Sequence, residues 1–173
     1  MRKDTLIFAL AALLLLPAAA FGQGVTQPAR AWLGVGLGGG GGMEDVSGAA
    51  LMGQLVYQRS PHHLAVRGLV LAEAGSGSSS PNVGELGLLY GRTRMGYMGH
   101  MSAAAGLALT TFDPCPNDDD TCIILGVPIV LDAALRVFPV AGLGAQIFGN
   151  LNAEASYAGL ALYLQLGWLP VRL

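Results

Sequence analysis

Apolar side chains recur at every second position through most of the chain beyond its first two dozen residues. Leu160, Leu162, Leu164, Leu166 and Trp168 share one face, while Tyr163, Gln165 and Gly167 share the other. A helix would scatter those leucines around its circumference, so the segment 155–168 predicts a strand. In 86–92, Leu86, Leu88 and Tyr90 oppose Glu85, Gly87 and Gly91. In 97–111, Tyr97, Met101, Ala103, Ala105, Leu107 and Leu109 oppose Met98, His100, Ser102, Gly106 and Thr110. In 123–137, the alternate residues from Leu125 to Val137 oppose Asp132 and Arg136. Weaker alternation predicts strands over 32–38, 51–58, 63–73 and 140–150.

The connections alternate in length. Gly39–Ser47, Ala74–Asn82 and Phe112–Cys122 are long, Arg59–His62, Thr93–Met95 and Phe138–Pro139 are short, and Leu151–Glu154 is intermediate. Glu44, Asp45, Asp113, Asp118, Asp119, Asp120 and Glu154 fall in the longer loops, whereas Arg59, Arg92, Arg94 and Arg172 fall at the short turns or the terminus. Together these features predict an all-β fold: an eight-stranded antiparallel up-and-down barrel with both ends of the chain on the short-turn side. Pro128 is a misfit, because a closed barrel has no edge to excuse a missing N–H; a bulge or a position above the membrane would accommodate it.

Ahead of the strands, Arg2 and Lys3 precede an apolar run from Leu6 to Leu16, then Pro17 and the small residues Ala18 to Ala20 and Gly22. Residues 1–22 therefore predict a cleaved secretory signal peptide, leaving 23–173 as a single barrel domain. The run is too short to span a bilayer as a helix.

Composition sharpens this. The chain is 53% hydrophobic and 12% charged, with 26 glycines and a net charge of −2; soluble domains carry about a quarter charged residues. Disorder is excluded by the hydrophobicity, and nucleic-acid binding by the missing basic footprint. Beyond residue 22 there are seven arginines, no lysine and ten acidic residues. Opposite the leucine face lie Arg67, Glu73, Glu85, His100, Ser102, Asp132, Arg136, Gln146, Tyr163 and Gln165. On a soluble barrel these would be the water-facing surface, around a leucine-lined cavity able to take a small apolar ligand. In a transmembrane barrel they would line a narrow, filled lumen, where buried charges must pair. Arg67, Glu85, Asp132 and Arg136 are the expected members of such a cluster.

The ending Gly149-Asn150-Leu151-Asn152, followed by Gly159-Leu160-Ala161-Leu162-Tyr163-Leu164-Gln165-Leu166-Gly167, resembles the final strand of the small outer-membrane β-barrel family of Gram-negative bacteria. Many of its members end on an aromatic residue, whereas this sequence continues from Trp168 to Leu173. The resemblance implies a monomeric integral outer-membrane protein without enzymatic activity, in a structural or surface-interaction role. Its partners would be outer-membrane lipid and, during biogenesis, the barrel-insertion machinery.

Four constellations bear on chemistry. Cys115 and Cys122 flank an acidic stretch and, in an exported protein, predict a disulfide. Asp118, Asp119 and Asp120 could offer oxygen ligands to a hard cation, although the Gly and distal Glu of an EF-hand are missing, and a solvated loop is the expectation. His100 and Ser102 are spaced like the His-x-Ser pair of outer-membrane lipid A deacylases, which would make Ser102 a nucleophile and His100 its base; a lumen hydrogen-bonding pair is the plainer expectation. His62 and His63 follow Pro61 and read as a solvated turn rather than a metal site. Gly34, Gly36 and Gly38 lead into Gly39–Gly42, but no helix start or Lys-Ser/Thr follows, which removes a nucleotide site and leaves a strand-to-loop transition. Ser76 to Ser80 read as a mobile hydrophilic loop. No cofactor is expected.

Overall fold

The computed structural model describes residues 29–42, 47–72, 82–115 and 120–167. The proposed signal peptide and Glu44, Asp45, Glu73, Ser76 to Ser80, Asp118, Asp119, Trp168 and Arg172 lie outside the described residues. Eight strands form: β1 (Arg30–Gly42), β2 (Ser47–Arg59), β3 (His62–Ala72), β4 (Asn82–Met95), β5 (Gly99–Asp113), β6 (Cys122–Phe138), β7 (Ala141–Leu151) and β8 (Tyr157–Gly167). Each pairs antiparallel with its neighbours in sequence, and β1 also pairs with β8, closing the barrel. At 11 to 17 residues, the strands meet or exceed the 9–11 residues that a tilted strand needs to cross a bilayer.

The period of two in the sequence becomes the two faces of the wall. Leu37, Leu88 and Leu162 point out and are 69%, 60% and 68% exposed. Their alternates, Arg67, Gln146 and Gln165 among them, are 1% exposed and fill the interior. The bulky residues that fill it include aromatic and aliphatic ones that the polar reading of this face did not foresee: Trp32, Met52, Leu69, Leu71, Leu89, Phe112 and Phe148 are all buried inside. Eight strands enclose a bore that side chains can just fill.

Four expectations need correction. Gly39 to Gly42 are not a loop: they extend β1, with Gly39 to Gly41 pairing with Ala49 to Ser47 on one side and all four pairing with Leu160 to Tyr157 on the other. Glycine carries no alternation signal, so the strand was invisible there. His62 and His63 are not in a turn but open β3 behind Ser60–Pro61, and Tyr97 lies in the turn between β4 and β5. Pro128 does not occupy a bulge. It is buried within β6, paired with Asn150 of β7. On its other side the β5–β6 ladder skips from Ala105–Ile129 to Ala108–Gly126, so the missing N–H falls where the ladder is open. A bulge does occur between Arg136 and Phe138.

Candidate functional site

The lumen is the most highly organised polar region. Arg67 of β3 and Glu85 of β4 are inward neighbours near mid-wall and form a buried ion pair through the Arg67 Nε and Nη2 groups and Glu85 Oε1. Glu85 Oε2 accepts from Asn150 Nδ2 at 2.7 Å and from Tyr157 OH at 2.6 Å. Asn150 Nδ2 also donates to Thr110 Oγ1 at 3.1 Å. The guanidinium of Arg67 sits 5.8 Å from the Phe148 ring centroid, within the range of a cation–π contact. Across the bore, Gln146 Nε2 donates to Gln54 Oε1 at 3.1 Å. A carboxylate taken out of water requires such a set of donors, and here they come from β3, β7 and β8.

The other two expected cluster members stand apart. Asp132 faces His100, with Oδ1 3.6 Å from Nε2, and pairs across the sheet with Ser102. Arg136 is exposed at the turn-side end of β6, next to the bulge. There it keeps its hydration, which a guanidinium enclosed without a carboxylate would lose. His63 is inward and bonded to Thr93 Oγ1 at 2.9 Å, while His62 is outward, bonded to Tyr90 OH at 2.6 Å.

This geometry limits the chemistry. In a hydrolytic triad the serine contacts the histidine and the histidine contacts the acid. Here both Ser102 and His100 face Asp132, and His100, 5% exposed, is closed in against the Trp32 ring at 5.2 Å. A lipid on the outer wall cannot reach either group. Near the loop-side strand ends the bore is filled by Leu71, Val83, Phe112 and Tyr157. The leucine-lined internal cavity of the soluble alternative is absent from the described residues, because the leucines of the alternating face point outward.

At the loop side, Cys115 and Cys122 are joined, with Cα atoms 5.4 Å apart. Asp120 is exposed, and among the described residues no group of His, Cys, Asp or Glu is placed to hold a metal ion. Asn152 shapes the β7–β8 connection: its Oδ1 accepts from the backbone N–H of Glu154 at 3.1 Å and of Ala155 at 2.9 Å. No sequence signal identified Asn150, Thr110 or Tyr157 as partners of Glu85; their hydrogen bonds to it or to one another join residues 40 to 72 positions apart.

No protein-family model matches the chain, and no curated protein matches it. Solved structures do. Neisserial surface protein A superposes with a TM-score of 0.62 at 12% identity, over 83% of this chain and 99% of that one. Ail, the attachment invasion locus protein of Yersinia pestis, gives 0.58 at 9% identity, over 82% and 99%. The N-terminal β-barrel domain of Pseudomonas aeruginosa OprF gives 0.57 at 14% identity, over 83% and 99%. At these identities the likeness is one of fold, and the fold is that of the small bacterial outer-membrane β-barrels.

Proposed function

We propose that the protein is a non-enzymatic, integral outer-membrane β-barrel in a structural or surface-interaction role, with the longer loops at the cell exterior. The observation that carries this reading is the inversion of polarity across the wall. Large apolar side chains are exposed around the whole circumference, while the ion pair of Arg67 and Glu85 is sealed inside. Water outside would oppose that arrangement, at roughly 25 cal/mol for each Å² of exposed apolar surface; lipid outside favours it. Two of the neighbours of like fold are named a surface protein and an attachment invasion locus protein, which supports a surface role. The packed bore disfavours a pore, and the burial of His100 disfavours lipid hydrolysis.

The test is fractionation of cells expressing the full chain. The protein is expected in the outer-membrane fraction, resistant to carbonate wash, and its detergent extract should migrate differently on gels before and after boiling, as closed barrels do. A mature protein that stays soluble without detergent would overturn the proposal.

A further inference from the structure

The two halves of the bore differ in how their polar groups are served. Around Glu85 the side chains satisfy one another directly. Toward the turn end, Trp32, Gln58, His100, Tyr163 and Gln165 point inward and are at most 5% exposed, and the Asp132 side chain is 7% exposed. The register holds them at one end of the lumen. Tyr163, Gly144, Ala134 and His100 form a single cross-strand row. Asp132 and Gln165 are the inward residues next to that row on β6 and β8. The Trp32 ring lies 5.2 Å from that of His100, and Gln58 is two residues from Val56, the cross-strand partner of Trp32.

Seven buried atoms of these side chains have no hydrogen-bond partner among the described residues: Trp32 Nε1, Gln58 Nε2 and Oε1, His100 Nε2, Asp132 Oδ1, Tyr163 OH and Gln165 Nε2. At 3.6 Å, His100 Nε2 and Asp132 Oδ1 stand too far apart to satisfy each other. Each enclosed polar atom left without a partner costs a sizeable share of a domain's marginal stability. Their chemistry selects the ligand. Trp32 Nε1 and the two glutamine Nε2 groups donate, Gln58 Oε1 and the Asp132 carboxylate accept, and Tyr163 OH does both. A cation would serve only the acceptors, and an anion only the donors while opposing Asp132. Water serves both kinds from one small molecule. The inward file of β6 ends in Arg136, which is exposed, so water reaches this end of the bore, whereas Leu71, Val83 and Phe112 close the other.

We infer that the turn-side half of the bore is a binding site for a cluster of ordered water molecules, seated among Asp132, His100 and Tyr163 and extending to Trp32, Gln58 and Gln165. Water there does for Asp132 what Arg67, Asn150 and Tyr157 do for Glu85. The site lies on the interior face, so it stands or falls separately from the membrane reading of the outer one.

The full chain, isotope-labelled and folded in deuterated detergent, is probed by rotating-frame cross-relaxation from water. Peaks with the sign of direct contact are expected at Trp32 Nε1–H and at the side-chain amides of Gln58 and Gln165. None is expected at Asn150 Nδ2, which donates to Glu85 and Thr110. Asp132→Leu, which replaces the carboxylate by an apolar group, should abolish the Trp32 peak. Tyr163→Phe, which keeps the ring and removes only the hydroxyl, should weaken it. Water reorients to donate or accept, so Asp132→Asn should change the unfolding equilibrium constant in urea by less than about twofold. Glu85→Gln, set among fixed donors, should shift it about tenfold or more. Heat-dependent gel mobility identifies the variants that have folded. A folded wild type without direct peaks at Trp32, Gln58 and Gln165 overturns the water site, as does an Asp132→Asn variant as costly as Glu85→Gln.

Discussion

Glu85 concentrates the lumen's electrostatics on one side chain, since both of its oxygens are engaged and Arg67 is 1% exposed. Removing one member of a buried pair leaves the other charge without compensation, which typically costs about 3–5 kcal/mol. Glu85→Ala should therefore lower the barrel's unfolding free energy by about that amount in urea titrations of the detergent-folded protein. The double change Arg67→Met with Glu85→Leu removes both charges and should regain most of the loss. If Glu85→Ala proves as stable as the wild type, the pair is not structural. At this scale the sequence was partly readable. Arg67 and Glu85 stood out because charges on an alternating strand must face something. Arg136 had the same parity, but only the wall's geometry shows that its position is at an open rim. Asp132 was likewise legible as inward, yet its pairing with His100 depends on the β5–β6 register.

Among the elements, β1 is the most exacting, because it closes the barrel against both β2 and β8. An ideal Cβ on Gly38 would lie 2.0 Å from the Leu160 carbonyl oxygen, and one on Gly42 would lie 2.3 Å from that of Ser156. These are backbone atoms of the β8 side, so the neighbour cannot yield by a rotamer change. The glycine run is thus what lets the last strand dock along the first. Gly38→Ala should destabilise closure by about 1–3 kcal/mol, the usual range for overpacking. It should also reduce the fraction of protein showing the fast-migrating unboiled band. Gly53→Ala is the matched control, since a Cβ there meets nothing within 4 Å, and it should migrate as wild type. Equal behaviour of the two variants would remove the seam argument. All eight strands were legible, because half-buried walls impose a period of two. The extension of β1 through Gly42 was not, because glycine leaves no pattern for either face.

For the molecule as a whole, the distinction between lipid and water outside is energetic. Leu88 lies on the outer wall of β4, well inside the strand. An arginine on the lipid face near the bilayer midplane costs roughly 2–4 kcal/mol, whereas on a water-facing wall the same change is usually within about 0.5 kcal/mol. Leu88→Arg should therefore lower the stability of the vesicle-inserted barrel by the larger amount, read from its urea midpoint. A near-neutral result would mean that this wall does not face hydrocarbon. The barrel as a fold, and the sorting of charge between its two ends, were legible in the sequence. The interior packing was not, because Phe112, Phe148 and Trp32 share the parity of polar neighbours and only closure brings them together.

The filled bore has a physiological corollary. Phe112, Tyr157, Leu71 and Val83 are buried where the strands meet the loops, and on the proposed reading a bore filled in this way is not a conducting one. On the proposed reading, a cell could crowd its envelope with copies without making it leaky, and the number displayed would be limited by lipid area and insertion capacity rather than by permeability.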